Sequence, residues 1–154
     1  GSLGKPLPEF NMSGSSNGSI SNQSLNGKVT IINFWATWCG SCKDELKEMA
    51  KTFEPLLDDN KFQLVLVSMD QDAATGRKWL GQNLPTLMPY LAFDAEQSLA
   101  SSLPVNSFPM TIMTGPDGKI AAVVRGYKKE RKSVDKLARK AKAMLGKAGH
   151  LVSR

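Results

Sequence analysis

The sequence predicts an α/β fold in which helices flank a mixed central sheet. After Gly27, apolar runs of strand length alternate with segments whose apolar residues recur at helical spacing. The first two strand segments are almost wholly apolar, which is typical of parallel strands covered on both faces. The last two are separated only by a turn sequence, which predicts an antiparallel hairpin. Together these features predict a sheet with a parallel part and an antiparallel edge.

The individual elements follow from local composition. Val29–Trp35 and residues 62–69 are predicted as buried strands. Between them a helix presents one apolar face and is ended or kinked by Pro55; this face contains Leu46, Met49, Ala50, Phe53 and Leu57. The later elements are a helix at 73–82, a short strand at 90–93, a short helix at 95–102, two strands joined at Pro116-Asp117-Gly118, and a closing basic helix.

The length and the turn-rich segments indicate how the chain is organised. A chain of 154 residues that is 41% hydrophobic suits one well-buried core. We expect a domain over residues 9–147, preceded by a tail at 1–8 that includes a cloning scar and followed by a tail at 148–154. The Ser-, Asn- and Gly-rich residues 11–28 suit a hairpin and loop before the core. No apolar run reaches the roughly 18 to 20 residues of a membrane-spanning helix.

The positive charge of the chain is concentrated at its C-terminal end. The formal net charge is +6, yet residues 125–154 contain eleven Lys or Arg side chains against Glu130 and Asp135. A solvated face of an amphipathic helix accounts for this pattern most simply. Contact with an acidic partner or an anionic membrane surface is the alternative. No aromatic or glycine-rich recognition motif accompanies the charge, so nucleic acid is not an expected partner.

Both cysteines of the chain lie in one segment, NFWATWCGSCKDEL, at residues 33–46. Cys39 begins a predicted helix, where unpaired N–H groups and the helix dipole favour a thiolate. An isolated thiol has a pKa of about 8.5, and such settings lower it to roughly 3.5–7.5. Cys42 follows after nearly one helical turn and lies within disulfide-bonding reach. We therefore expect Cys39 to be the exposed attacking thiol and Cys42 the resolving thiol.

A metal site or a purely structural disulfide suits this cysteine pair less well. A structural zinc site needs four ligands, and beyond the cysteines the chain offers only His150. A bridge across two residues closes too small a loop to restrict the unfolded chain much, although the spacing alone leaves a structural role open. Disulfide exchange needs no metal and no organic cofactor.

The residues around the cysteines resemble a known active-site segment. FWATWCGSCK is similar to that of the thioredoxin superfamily: an aromatic pair, a small residue, tryptophan, then Cys-Gly-x-Cys-Lys. Residues 6–39 resemble the entry to its extracytoplasmic branch, which includes the TlpA, ResA and DsbE proteins. Residues 107–120, SFPMTIMTGPDGKI, resemble the segment of that branch that contains a cis-proline. The resemblance covers nearly the whole chain and implies a thioredoxin-like fold with an N-terminal β-hairpin extension.

The resemblance also implies where a client protein binds. Pro109 matches the cis-proline that packs opposite Cys39, and the backbone of Phe108 would pair with an extended client segment. Trp38, Phe108 and Pro109 are therefore the predicted substrate-binding residues. For Phe108, a role as an ordinary core aromatic is the alternative.

Two residues depart from the thioredoxin pattern. Asn33 stands where thioredoxin has a buried aspartate, although the TlpA-like branch often has asparagine there. Asp70 or Asp72 could supply the acid/base carboxylate, and a helix cap or a solvated loop is the alternative for either. Ser41 stands where thioredoxin has proline. Neither departure removes the dithiol chemistry.

These observations predict a thiol–disulfide oxidoreductase that reduces disulfides in extracytoplasmic clients through Cys39 and Cys42. No histidine lies between the cysteines, and Asp44 and Glu45 would slightly oppose a thiolate, so the disulfide should be comparatively stable and the protein a reductant. A client-binding or chaperone-like module with an incidental dithiol is the alternative. A peroxidase is disfavoured because the Thr-x-x-Cys motif is missing.

The expected partners and compartment follow from the same resemblance. We expect a monomer that meets client proteins and an upstream electron donor. Apocytochrome c, a copper-site assembly factor or another oxidoreductase would each be reduced by the same chemistry, which links the chain to electron transport and cytochrome c maturation. The resemblance implies the bacterial periplasm or cell envelope, with a membrane anchor upstream of Gly1 as one arrangement.

Overall fold

The computed structural model describes residues 3–14, 16, 18–95, 97–103, 105 and 107–147. Its strands are β1 (Asn11–Gly14), β2 (Gly18–Ser21), β3 (Val29–Trp35), β4 (Phe62–Ser68), β5 (Leu91–Phe93), β6 (Met110–Thr114) and β7 (Ile120–Arg125). Its α-helices are α1 (Gly40–Thr52), α2 (Ala73–Asn83) and α3 (Ser133–Lys147). Short 3-10 helices span Asn22–Leu25, Glu54–Leu56, Pro85–Tyr90 and Lys129–Arg131.

The seven strands form one mixed sheet in the order β2-β1-β5-β4-β3-β6-β7. β3, β4 and β5 run parallel to one another. β6 pairs antiparallel with β3, and β7 pairs antiparallel with β6. The β1–β2 hairpin joins the other side of the sheet through an antiparallel pairing of β1 with β5. The predicted mixed sheet, its antiparallel edge and the N-terminal hairpin are all confirmed.

Two apolar layers cover the two faces of the sheet. Every residue of β3 is buried, because alternate side chains of this central strand enter opposite layers. Ile31 and Trp35 lie in the layer formed with α1 and α3. Ile32 and Phe34 lie in the layer that Leu25 and the hairpin residue Met12 help to close. Burial on both faces fixes the position of β3, and therefore also the starting point of the segment that follows it.

The helix predicted at residues 95–102 is wrong, because the described residues of this segment form turns. The reason lies in the buried carboxylate of Asp94. It accepts hydrogen bonds from the backbone N–H groups of Ser98, Leu99 and Ala100, at 3.0, 3.1 and 3.2 Å. A side chain that captures consecutive amide groups competes with a regular helical ladder. The other predicted helices and strands are present with small shifts at their ends.

The first described residues lie against the turn end of the β6–β7 hairpin. Gly4 N donates to Ile120 O, Ile120 N donates to Lys5 O, and Leu7 is buried. The domain boundary at residue 9 stays a prediction, and the tail predicted at 148–154 lies outside the described residues. In the part of the chain that the structure describes, no helix has the length and apolar character that crossing a membrane requires.

Candidate active site

The cysteine pair lies at the junction between strand β3 and helix α1. β3 ends at Trp35, and Cys39 caps the N-terminus of α1, where its sulfur accepts a hydrogen bond from Cys42 N at 3.2 Å. Cys39 and Cys42 are joined in a disulfide. Cys39 is 8% exposed, whereas Cys42 is fully buried. Cys39 thus keeps a small accessible area and Cys42 has none, and their roles as attacking and resolving thiol stay a prediction.

Asp70 fixes the loop that leads to Cys39. Its carboxylate accepts hydrogen bonds from Thr37 Oγ1 at 2.6 Å and from Thr37 N at 3.1 Å. Ser68 Oγ donates to the same carboxylate at 3.2 Å. Asp72 is exposed and caps α2 by accepting a hydrogen bond from Ala74 N at 2.9 Å. The acid/base role of Asp70 or Asp72 stays a prediction, and the contacts of both side chains are those of local structural anchors.

A buried carboxylate that was not predicted as a site residue lies on the inner face of α1. Glu45 is 1% exposed, and its Oε1 accepts a hydrogen bond from Asn33 Nδ2 at 2.8 Å. The same Asn33 amide donates to Thr111 Oγ1 at 2.9 Å. Burial raises the pKa of Glu45 to about 7; the Asn33 hydrogen bond partly offsets this rise, and the Glu48 charge adds to it. Near neutral pH this carboxyl can therefore both accept and release a proton.

The spacing of buried residues along α1 could have identified Glu45. Cys42, Glu45 and Met49 recur at intervals of three and four, which places all three on one helical face. From the local sequence, Glu45 was expected only to act as a charge beside Cys39. Its hydrogen-bond partner Asn33 lies on β3, and no local pattern reveals that pairing. The position where thioredoxin has an aspartate thus holds the amide that orients this carboxyl.

An aromatic surface adjoins Cys39. Trp38, directly before Cys39, is 67% exposed. Its ring meets the half-buried ring of Phe108 edge to face, with ring centroids 5.4 Å apart. The Phe108-Pro109 peptide bond is cis, which confirms the expectation for Pro109, and the Pro109 side chain is buried. The two aromatic residues form one apolar patch beside Cys39, hereafter the Trp38–Phe108 surface.

A second aromatic pair restrains the lysine that follows Cys42. Trp79 of α2 packs against Trp35, with ring centroids 5.8 Å apart. The Lys43 ammonium lies 5.5 Å from the centroid of the Trp79 ring, within the range of a cation–π contact. This contact holds the cation of the first turn of α1 over Trp79.

The chain is similar in sequence to proteins that are named for thiol–disulfide chemistry. ResA from Bacillus subtilis strain 168, named a thiol-disulfide oxidoreductase, is 27% identical over 128 residues, which cover 81% of this chain and 68% of ResA. DsbE from Pseudomonas fluorescens biotype C, named a thiol:disulfide interchange protein, is 28% identical over 148 residues, which cover 95% of this chain and 79% of DsbE.

The likeness extends to solved structures and to a protein family. A crystal structure of a thioredoxin-family thiol:disulfide interchange protein from Chlorobium tepidum TLS superposes with a TM-score of 0.70 at 18% identity, covering 89% of this chain and 95% of that one. This similarity establishes the thioredoxin-like fold. Residues 3–123 match the AhpC/TSA family over most of the chain. The chain belongs to the AhpC/TSA family.

Proposed function

We propose that this protein, a thiol–disulfide oxidoreductase with a thioredoxin-like fold, reduces disulfides in client proteins outside the cytoplasm. The observation that carries the proposal is the cysteine pair at the N-terminus of α1. Cys39 keeps a small accessible area, Cys42 is fully buried, and the two sulfurs are joined in a disulfide. A dithiol of this kind can pass two electrons to a client and close upon itself.

The first step uses the Cys39 sulfur. In the reduced protein, the Cys39 thiolate attacks one sulfur of a client disulfide. A bond forms between Cys39 Sγ and that sulfur, and the other client sulfur leaves as a thiolate that takes up a proton. The helix terminus favours the attacking anion, because the Cys42 N–H group points at Cys39 Sγ.

The second step uses the buried sulfur and the buried carboxyl. Cys42 must lose its proton before it can attack Cys39 Sγ, and Glu45 lies one helical turn further along the same buried face. The ionised Glu45 carboxylate accepts this proton, directly or through water. Attack by Cys42 then breaks the mixed disulfide and releases the second client thiolate. Two electrons have moved to the client, and the protein retains the Cys39–Cys42 disulfide until a donor dithiol reduces it.

The Trp38–Phe108 surface is the proposed docking site of the client chain. It is apolar, it flanks Cys39, and the cis bond at Phe108-Pro109 shapes its edge. An extended client segment placed there would bring its disulfide to Cys39. Trp38, Phe108 and Pro109 are accordingly assigned to client binding.

The compartment and the clients are proposed from the resemblance to the ResA and DsbE proteins. We place the protein in the bacterial periplasm or cell envelope, where it would act as a monomer with an upstream dithiol donor. Apocytochrome c is one client class that this chemistry suits, in keeping with a role in cytochrome c maturation and electron transport.

A turnover assay tests the proposed function. With dithiothreitol as the electron donor, catalytic amounts of the protein should accelerate reduction of the insulin disulfides well beyond the uncatalysed rate. A client-binding module with an incidental dithiol would instead suppress aggregation of an unfolded protein without accelerating disulfide reduction. That second pattern would contradict the proposal.

Truncation of Trp38 should weaken client binding without changing the sulfur chemistry. Trp38→Ala is expected to lower kcat/KM for a protein disulfide about tenfold, because an exposed tryptophan at a contact surface often contributes that much binding energy. The rate at which iodoacetamide alkylates Cys39 should stay nearly unchanged. Leu3 is the matched control, since it is 65% exposed and lies near the opposite end of β7. If Leu3→Ala costs as much as Trp38→Ala, the surface assignment is wrong.

A further inference from the structure

A cationic segment lies at the same end of the sheet as the cysteine pair. The strand registers place Phe34 of β3 opposite Met110 of β6, and Met110 opposite Arg125 of β7. Two strand spacings, roughly 10 Å, therefore separate the end of β3 from the end of β7. The chain that leaves β7 stays at this end, because Gly126 N donates to Pro109 O at 2.8 Å.

Residues 128–132, with the sequence KKERK, form this cationic segment. Tyr127 precedes it and donates a hydrogen bond from its hydroxyl to the Glu48 carboxylate, which ties the segment to the outer side of α1. All five side chains of the segment are exposed. Four are cationic and only Glu130 is acidic. Among the described residues, none of the four cations forms an ion pair.

Lys132, the last residue of the cationic segment, has an unusual backbone conformation. This residue ends the 3-10 helix Lys129–Arg131 in the left-handed conformation, with φ 54° and ψ 37°. That conformation is unfavourable for a residue with a Cβ atom, whereas glycine adopts it readily. The turn holds the Lys132 side chain in an exposed position immediately before α3 begins. The segment is thus a defined turn that displays its charges.

We propose that the cationic segment selects client polypeptides with acidic residues near the disulfide to be reduced. A client disulfide that reaches Cys39 lies next to the Phe108-Pro109 edge, and the cationic segment follows directly from the strand end bonded to that edge. Opposite charges at the rim of a binding surface speed association and disfavour partners of like charge. The inference rests on the proposed function and adds the chemical class of its clients.

Two peptide probes and two charge variants test this inference. The probes contain the same disulfide, flanked by glutamates in one peptide and by lysines in the other. The rim variant carries Lys128→Gln, Lys129→Gln and Lys132→Gly, and the glycine suits the left-handed backbone. The control variant carries three lysine-to-glutamine changes at the opposite end of the molecule, at Lys5, Lys61 and Lys119. Both variants lose three positive charges, the rim variant beside the active site and the control variant far from it.

For each peptide, the rate constant for reduction by the protein is divided by the rate constant for reduction by dithiothreitol. This ratio removes the effect of the flanking charges on the reactivity of the disulfide itself. We expect the wild-type protein and the control variant to favour the acidic peptide about tenfold at low ionic strength. The preference should fall towards one at about 0.5 M salt, where screening is strong. The rim variant should show a preference near one even at low ionic strength.

Each contrary result has a distinct meaning. An equal preference in all three proteins overturns the inference and leaves the proposed function intact. Reduction of neither peptide beyond background contradicts the proposed function, and the inference fails with it. Phosphatidylglycerol vesicles that sediment the wild-type protein but not the rim variant, together with equal rates for the two peptides, would assign the segment to a membrane surface and overturn the inference.

Discussion

Cys39→Ser is expected to abolish disulfide reduction, whereas Cys42→Ser is expected to leave the protein covalently attached to its clients. Without the Cys39 thiolate no bond to the client sulfur can form, so turnover should fall by at least about 10³-fold. Without Cys42 the first step still proceeds, because Cys39, the more accessible of the two cysteines, supplies the attacking thiolate. The mixed disulfide then persists, since the group that would break it is missing.

Non-reducing gel electrophoresis of extracts that express each variant provides the measurement. The Cys42→Ser protein should shift into several higher-mass bands that collapse on addition of dithiothreitol, and mass spectrometry of these bands would identify the clients. The double variant Cys39→Ser with Cys42→Ser is the matched control and should show no such bands. Bands that form with Cys39→Ser but not with Cys42→Ser would reverse the assignment of the two thiols.

Glu45→Gln is expected to remove a large pH dependence from the stability of the oxidised protein. The pKa of Glu45 rises from 4.5 to about 7 on folding, because burial disfavours the charged carboxylate. Between these values the folded state binds more protons than the unfolded state, so the free energy of unfolding falls as the pH rises. The full fall is about 3 kcal/mol, and it should be complete just above pH 7.

Denaturant titrations from about pH 4 to pH 8 measure this effect. The wild-type protein should lose stability across the interval, and Glu45→Gln should lose much less. Asp44→Asn is the matched control, since Asp44 is the exposed neighbour on the same turn and should leave the pH dependence unchanged. A Glu45→Gln protein with the wild-type pH dependence would show that another group causes it.

The same substitution should slow the second step of catalysis. A glutamine cannot accept the Cys42 proton, so the mixed disulfide should resolve more slowly, by roughly 10²-fold near neutral pH. The first step should change little, which stopped-flow measurement of mixed-disulfide formation and decay can separate. An equal slowing of both steps would indicate a structural role for Glu45 in place of proton transfer.

Local sequence patterns predicted the parts of the fold that depend on neighbours along the chain. The apolar run of β3 and the turn at Pro116-Asp117-Gly118 predicted their elements correctly, and the spacing of Cys39 and Cys42 predicted the bond between them. The features that local patterns did not predict are of two kinds. Some depend on contacts between residues distant in the sequence, and others depend on a side chain that competes for backbone hydrogen bonds. Glu45 acquires its raised pKa from burial and contacts Asn33 of another element.

Asp94 is an example of a side chain that competes for backbone hydrogen bonds. Residues 95–102 have a composition that suits a helix, but the prediction gave no weight to a carboxylate that captures three amide groups in succession. For Asp70 the acid/base role stays a prediction, and the contacts of its carboxylate with Thr37 anchor the loop before Cys39. The role of a carboxylate is set by its partners, and these appear only in the folded chain.

The reduction potential of the Cys39–Cys42 couple tests most directly the claim that this protein donates electrons to its clients. Equilibration in glutathione redox buffers, with the reduced fraction measured by thiol labelling, gives the value. We predict a potential nearer to the roughly −270 mV of thioredoxin than to the roughly −120 mV of a strong disulfide donor. The oxidised form should accordingly be no less stable to denaturant than the reduced form. A potential near −120 mV, with the oxidised form several kcal/mol less stable, would contradict a reductant.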